Sequence, residues 1–375
     1  MTRASDTAKL LGAGGSILGS LDVGGGQIGG RRNIVINGAM QVAQRSASVT
    51  GIGASAGYFT CDRWNINTGS SAGRLTMTQT ADGPVGFANC IKLDCTTADT
   101  SIAAGENLIL QQSFEGQDLQ AIGKGVTGAK EVTLSFYVKA NAAFDFVAEW
   151  QDNDNSRFVS KLFATTTDWV RHEITFPADV DDGSSPFDDD NANSAALNFW
   201  LHAGTTFTGG TLGTTWNETA ANRAAGIDSF YSSTDNNFFI TGVQLEVGSV
   251  ATPFEHRSFG EELLLCQRYM QVIRQGIQGW CVNTNGTCLW TYPLQPKLRA
   301  APTITCTETA YRYGDAVSIG VAMTSISISA STYNSDTSAA WTVSGSASAT
   351  PGHYRNQLLE PTGATYGSFH FISEL

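Results

Sequence analysis

The residues best suited to chemistry in this 375-residue sequence are carboxylates gathered in two short stretches. Asp181, Asp182, Asp188 and Asp190, flanked by Asp179 and Asp189, offer the hard oxygen ligands that calcium prefers, and Asp152-Asn153-Asp154-Asn155 offers a second such set. Neither run has the glycine and terminal glutamate spacing of an EF-hand. A structural calcium and a pair of solvated acidic turns are therefore the two readings of these residues. A second chemistry is sugar stacking, in which a pyranose C–H face lies on an aromatic plane. Trp64, Trp150, Trp169, Trp200 and Trp216 are the candidates, and Trp216, set in the loop sequence GGTLGTTWNET, is the one expected to carry an exposed ring and bind glycan.

Catalytic motifs are weaker. Gly53-Ala54-Ser55-Ala56-Gly57 has the letters of a nucleophile elbow but lies among small residues, without the strand and helix that such a turn joins. The glycines between 12 and 30 follow no strand, open no helix and lack a phosphate-binding lysine. Histidines 172, 202, 256, 353 and 370 stand far apart, and no carboxylate pair marks a glycosidase. Seven cysteines show no zinc-ribbon spacing; Cys281 and Cys288 could close a small loop, but free buried thiols fit better. The expectation is a binding protein rather than an enzyme, with no catalytic residues and no cofactor beyond the candidate calcium.

These residues must be positioned by strands. Forty glycines, abundant Ser, Thr and Asn, and only 15% charged residues predict short strands, many turns and a surface partly hidden in an assembly. In EVTLSFYVKA, Val132, Leu134, Phe136 and Val138 alternate with Thr133, Ser135, Tyr137 and Lys139, the mark of a half-buried antiparallel strand. Phe144, Phe146 and Ala148 alternate with Asp145, Val147 and Glu149 in the same way. Strands are also expected at 34–37, 74–80, 90–95, 106–114, 157–164, 169–176, 195–202 and 237–247. With no helical patterns between them, a two-sheet sandwich over 33–257 is predicted. Ser258 and Glu261 open the one expected helix, over 258–272, which reads as a linker to a smaller C-terminal β domain at 273–375. Residues 1–32, rich in glycine with scattered Leu, Ile and Val, read as an attachment peptide that orders only against a partner.

Net charge is −12, from 34 acids against 22 bases, and no segment supplies the basic footprint of nucleic-acid binding. Met1 to Leu11 does not read as a signal peptide, and no apolar run reaches the ~18 residues of a membrane span. Synthesis in a reducing cytoplasm without membrane insertion is expected.

The segment NIVINGAMQVAQRS (33–46), followed by YFTCDRW (58–64), resembles the opening of a β-sandwich module found in bacteriophage tail-fibre and minor structural proteins. The matching residues are Asn33, Asn37, Gly38, Gln44, Arg45, Tyr58, Asp62, Arg63 and Trp64; Val42 and Ala43 stand where the family usually has an aromatic pair. The ending GVQLEVGSVATPFE (242–255) is the most specific stretch. The resemblance implies a jelly-roll-like, carbohydrate-binding-like sandwich in a virion protein made in the host cytoplasm. It implies attachment through residues 1–32 to other virion proteins, and a homotrimer with Leu264, Leu265 and Tyr269 at the threefold axis. A host-surface glycan is the implied ligand. A capsid- or tail-decorating protein that binds only virion partners is the alternative, and a polysaccharide depolymerase a third.

Overall fold

The computed structural model describes residues 31–180, 185–273, 277–281, 288–306, 311–314, 321–323, 327–330, 334–344, 354–358 and 368–375. The chain forms two compact units, one ending at Phe259 and the other spanning Gly260–Glu374. The candidate attachment peptide lies almost wholly outside the described residues, as do Asp181, Asp182 and the side chains of Cys281 and Cys288.

The first unit is all β. Its strands are β1 (Ser48–Ile52), β2 (Gly57–Tyr58), β3 (Asn65–Gly69), β4 (Arg74–Thr80), β5 (Cys90–Thr97), β6 (Asn107–Glu115), β7 (Val132–Ala140), β8 (Asp145–Asp152), β9 (Arg157–Ala164), β10 (Val170–Phe176), β11 (Asn193–Ala203) and β12 (Asn237–Val247). They build two six-stranded antiparallel sheets, in the orders β1-β4-β5-β12-β7-β10 and β2-β3-β6-β11-β8-β9. Alternation decides which side chains meet between them. From the first sheet Leu134, Phe136, Val138, Phe238 and Ile240 turn inward; from the second come Leu110, Phe146, Trp150, Leu197 and Phe199. Phe136 meets Phe199 and Phe163 edge-on at 5.1 Å, and Phe146 meets Phe238 at 5.7 Å, an arrangement that suits the aromatic quadrupole. Each such ring contributes roughly 1.5–3 kcal/mol by leaving water. The result is the two-sheet sandwich expected from the period-two pattern, jelly-roll-like as the family resemblance implied.

One predicted strand is absent. Residues 34–37 form a bend, because Asn37 adopts φ 58° and Gly38 approaches β12 so closely that a Cβ would lie 2.1 Å from the Val243 carbonyl oxygen. Asn37 holds the bend, donating to the carbonyls of Val42 (2.8 Å) and Asp62 (2.9 Å) and accepting from the Val42 amide (3.0 Å). Asn33 accepts from the amides of Val35 and Leu245, at 3.0 and 3.1 Å, and donates to the Val243 carbonyl at 3.1 Å. Glu255 accepts from the Asn33 amide at 2.7 Å, so the two ends of the sandwich are joined.

The second unit opens with α1 (Phe259–Gln267), shorter than the expected helix. Met270–Ile273 is a strand instead, paired with Phe369–Ile372, which pairs in turn with Thr303–Cys306. The β-branched Val272 and Ile273 favour that pairing over helix. Trp341 packs at 5.2 and 5.3 Å from Phe369 and Phe371 in this unit's core. A seven-stranded antiparallel sheet completes it, its register setting Cys281 opposite Cys288.

Candidate functional site

On the second sheet, the face turned away from the core carries a polar row. Register aligns Asn65, Gln111, Asn198 and Glu149 across β3, β6, β11 and β8. A parallel row of Asn67, Ile109, Trp200 and Val147 lies beside it. The 204–236 connection folds back over part of this face. Ser160 donates its amide to the Gly213 carbonyl at 2.7 Å, and Phe207, on the turn of helix Thr205–Thr208, packs 5.1 Å from the Trp200 ring. The uncovered remainder is a cleft of about 320 Å³, lined by Asn67, Asn107, Ile109, Gln111, Gln151, Asn153, Asn193, Asn198, Trp200, Phe207 and Arg223.

Arg223 and Glu149 sit at the centre of the site's electrostatics. The guanidinium lies over the rings of Trp200 (5.0 Å) and Phe158 (5.2 Å) and grips Glu149 through two bonds, Nε to Oε2 at 2.9 Å and Nη2 to Oε1 at 2.6 Å. Glu149 is fully buried, so this charge pair is shielded and its two charges cancel. An amide relay extends from it: Gln111 Nε2 donates to Asn198 Oδ1 at 2.8 Å, and Asn198 Nδ2 donates to Glu149 Oε1 (2.8 Å) and Gln151 Oε1 (2.9 Å). At the rim Asn153 donates to Asn193 at 2.8 Å. The relay holds these planar amides at fixed spacings before any ligand arrives. Two buried polar atoms of the lining residues, Trp200 Nε1 and Asn107 Oδ1, have no hydrogen-bond partner. Leaving such a group unpaired costs about 1–3 kcal/mol.

Trp216, the expected glycan platform, is differently placed. Its ring is half-buried against the sandwich core, its indole N–H donates to the Pro177 carbonyl at 2.8 Å, and Arg157 lies 5.9 Å from the ring centroid. The expected open ring is thus corrected: packing covers much of it. Trp64 and Trp150 are buried in the sandwich core, and Trp200, equally buried, lies beneath Phe207 and Arg223 in the cleft's wall. The amides around it were not singled out from sequence. Their signal was present, since Leu197, Phe199 and Leu201 alternate with Asn198 and Trp200, but only strand register shows that polar positions of four strands converge.

At the acidic loop, the described residues do not by themselves make a calcium site. Asp190 Oδ1 accepts from the Ala192 amide at 2.8 Å, and the Asp188 amide donates to Asp154 at 3.2 Å. The nearby buried carboxylates already have cations. Lys124 Nζ lies 2.7 Å from Asp152 and donates to the Ser185 carbonyl at 2.5 Å, while Arg157 reaches both oxygens of Asp179 at 2.9 Å. Among the described residues no three ligating side chains converge. Of the residues expected at a threefold axis, Leu264 is 55% exposed and Leu265 partly so, but Tyr269 is buried within its own unit. Tyr269 is therefore corrected from contact residue to core residue.

No protein-family model and no curated protein matches this chain. Among solved structures it is similar to a module described as CBM4, at 11% identity and TM-score 0.30, over 56% of this chain and 97% of that one. It is also similar to the CBM22-1 xylan-binding domain from Paenibacillus barcinonensis Xyn10C (10% identity, TM-score 0.28, 59% of this chain and 100% of that one). A third is TmCBM61 in complex with β-1,4-galactotriose (10%, 0.29, 58% and 99%). At such identities and TM-scores, the role of the cleft rests on this chain's own residues.

Proposed function

We propose that this chain is a structural protein of a phage particle, of the tail-fibre type, and that it attaches to a host-surface glycan through the amide-lined cleft of the second sheet. One observation carries the glycan part. Preset amides from four adjacent strands surround an apolar floor of Ile109, Trp200 and Phe207, with two unpaired polar atoms among the lining residues. Sugar hydroxyls both donate and accept, as amides do, and ring C–H groups suit the floor. The virion part is supported by the motif residues of 33–64 and 242–255. A homotrimer belongs to the same reading, since three weak sites acting together give firm attachment.

The test is binding of fluorescently labelled protein to host cells before and after periodate oxidation of surface glycans. Saturable binding that is lost on oxidation, and that a Gln111→Ala, Gln151→Ala double variant weakens at least about tenfold through its two lost polar contacts, is the expected result. Absence of binding by the folded protein across the hosts its phage infects would replace this reading with that of a decorating protein whose only partners are virion components. Finding the chain's peptides in purified particles by mass spectrometry tests the virion part separately.

A further inference from the structure

We infer that the cleft selects an uncharged, hydroxyl-bearing sugar unit and rejects uronate, sialate and phosphate groups; this rests on the glycan reading above. Cancelled charge is the first reason. Among the described residues lining the cleft, Arg223 alone is charged, and Glu149 answers that charge: Nε and Nη2 bond to Glu149 at 2.9 and 2.6 Å, and Nη2 also bonds to Gln151 Oε1 at 2.5 Å. An anionic ligand would therefore meet an ion pair of no net charge, and to compete for the bonded side of the guanidinium it would have to loosen the hold on a buried carboxylate.

Hydrogen-bond polarity is the second reason. The two unpaired atoms are of opposite kinds: Trp200 Nε1–H donates only, and Asn107 Oδ1 accepts only. A hydroxyl serves either one, accepting from the indole or donating to the amide oxygen. A carboxylate or phosphate oxygen accepts only, so it serves Trp200 and sets its charge against Asn107 Oδ1. The surrounding field adds to this. The 145–190 stretch, which contributes Gln151 and Asn153 to the lining, carries twelve acids and three bases, and so repels anions as they approach.

Glu149 is therefore the residue that sets the charge class. Glu149→Gln keeps the side chain's shape and its acceptor oxygen but leaves the Arg223 charge uncompensated at the cleft.

The deciding experiment probes wild-type protein on a glycan array that carries neutral hexose oligosaccharides beside uronate- and sialate-terminated counterparts, at low and high salt. The expected result is binding confined to neutral members and insensitive to salt. Trp200→Phe, which keeps the ring and removes the N–H, is expected to weaken it about tenfold, one hydrogen bond's worth. Glu149→Gln, if folded by circular dichroism, is expected to gain salt-sensitive binding to acidic members. Wild-type binding chiefly to acidic glycans would overturn the selectivity while leaving the glycan reading intact. Binding to neutral glycans that Trp200→Phe leaves unchanged would remove the indole from the site. No binding to any member would overturn both inferences together.

Discussion

Asn37 and Gly38 show how single residues of a sequence motif earn their place through backbone geometry rather than through ligand contact. Asn37 tolerates a left-handed φ and satisfies three backbone groups at once, and Gly38 leaves room for the Val243 carbonyl. Gly38→Ala is expected to destabilise the sandwich by about 2–4 kcal/mol, and Asn37→Ala by about 2–3 kcal/mol. Both should appear as a lower urea midpoint with unchanged slope. The other motif residues act in the same way. Asp62 accepts from the Gln44 amide at 3.0 Å, Arg63 donates to the Ser113 carbonyl at 2.7 Å, and Trp64 donates to the Asn37 carbonyl at 3.2 Å. The residues easiest to recognise in the sequence are thus structural fasteners. The cleft residues were harder to see, because Asn, Gln and Arg are common on any surface and become a site only when register brings them together. Trp216 misled for a related reason: a Gly/Thr-rich neighbourhood suggests exposure, whereas Pro177, 39 positions away in the chain, supplies the acceptor that helps hold the indole down.

The strands were largely legible as elements, since alternation along β7 and β8 reports directly which side chains face the core. The bend at 34–37 and the early end of α1 were not, because both depend on partners distant in the chain: β12 in one case, Phe369–Ile372 in the other. The end of β11 also carries a pH dependence. His202, at the end of β11, is fully buried, with Nδ1 2.8 Å from Ser229 Oγ and Nε2 3.4 Å from Glu106. Burial holds its pKa below the usual imidazole value, although Glu106 and Asp99 pull the other way. The unfolded chain therefore binds a proton near pH 6.5 that the folded chain refuses. This contribution to stability is complete above that pH and is lost as pH falls. Denaturation at pH 7.5 and 5.5 should show lower stability at the acid end, and His202→Gln should flatten the difference. The half-buried His172 shifts in the same direction through burial and leaves a residual slope.

The Lys124–Asp152 pair makes a second prediction at this scale. Both side chains are buried, so Lys124→Ala strands a carboxylate and should cost about 3–5 kcal/mol, whereas Lys124→Met with Asp152→Asn should recover much of the loss.

At the scale of the whole molecule, division into a large sandwich and a smaller β unit was visible as a change of charge and texture near residue 260. Within the smaller unit the runs at 288–294, 303–309, 317–323, 325–331, 339–345 and 368–375 read as strands and each overlaps one, whereas Ile277–Cys281, Tyr311–Gly314 and Tyr354–Leu358 have too little apolar pattern to be read. Helix α1 presents Phe259 and Leu264, 57% and 55% exposed, an expense that an assembly contact would offset. Light scattering is expected to give three times the chain mass, and Leu264→Glu to reduce it to one.

The joining of the sandwich's two ends has a mechanical consequence. Asn33 and Glu255 are bonded directly, Ile34 donates its amide to Leu245 at 2.8 Å, and Arg257 donates to the Val35 carbonyl at 3.1 Å. Tension applied to the chain before residue 33 and after residue 257 thus passes through a short seam along one strand of the first sheet. The strands that form the cleft lie in the other sheet, which meets this segment where Ile36 exchanges two 2.8 Å bonds with the Gln112 side chain of β6. Load along the chain would strain the seam first and reach the cleft sheet only after the bonds ahead of Ile36 had given way.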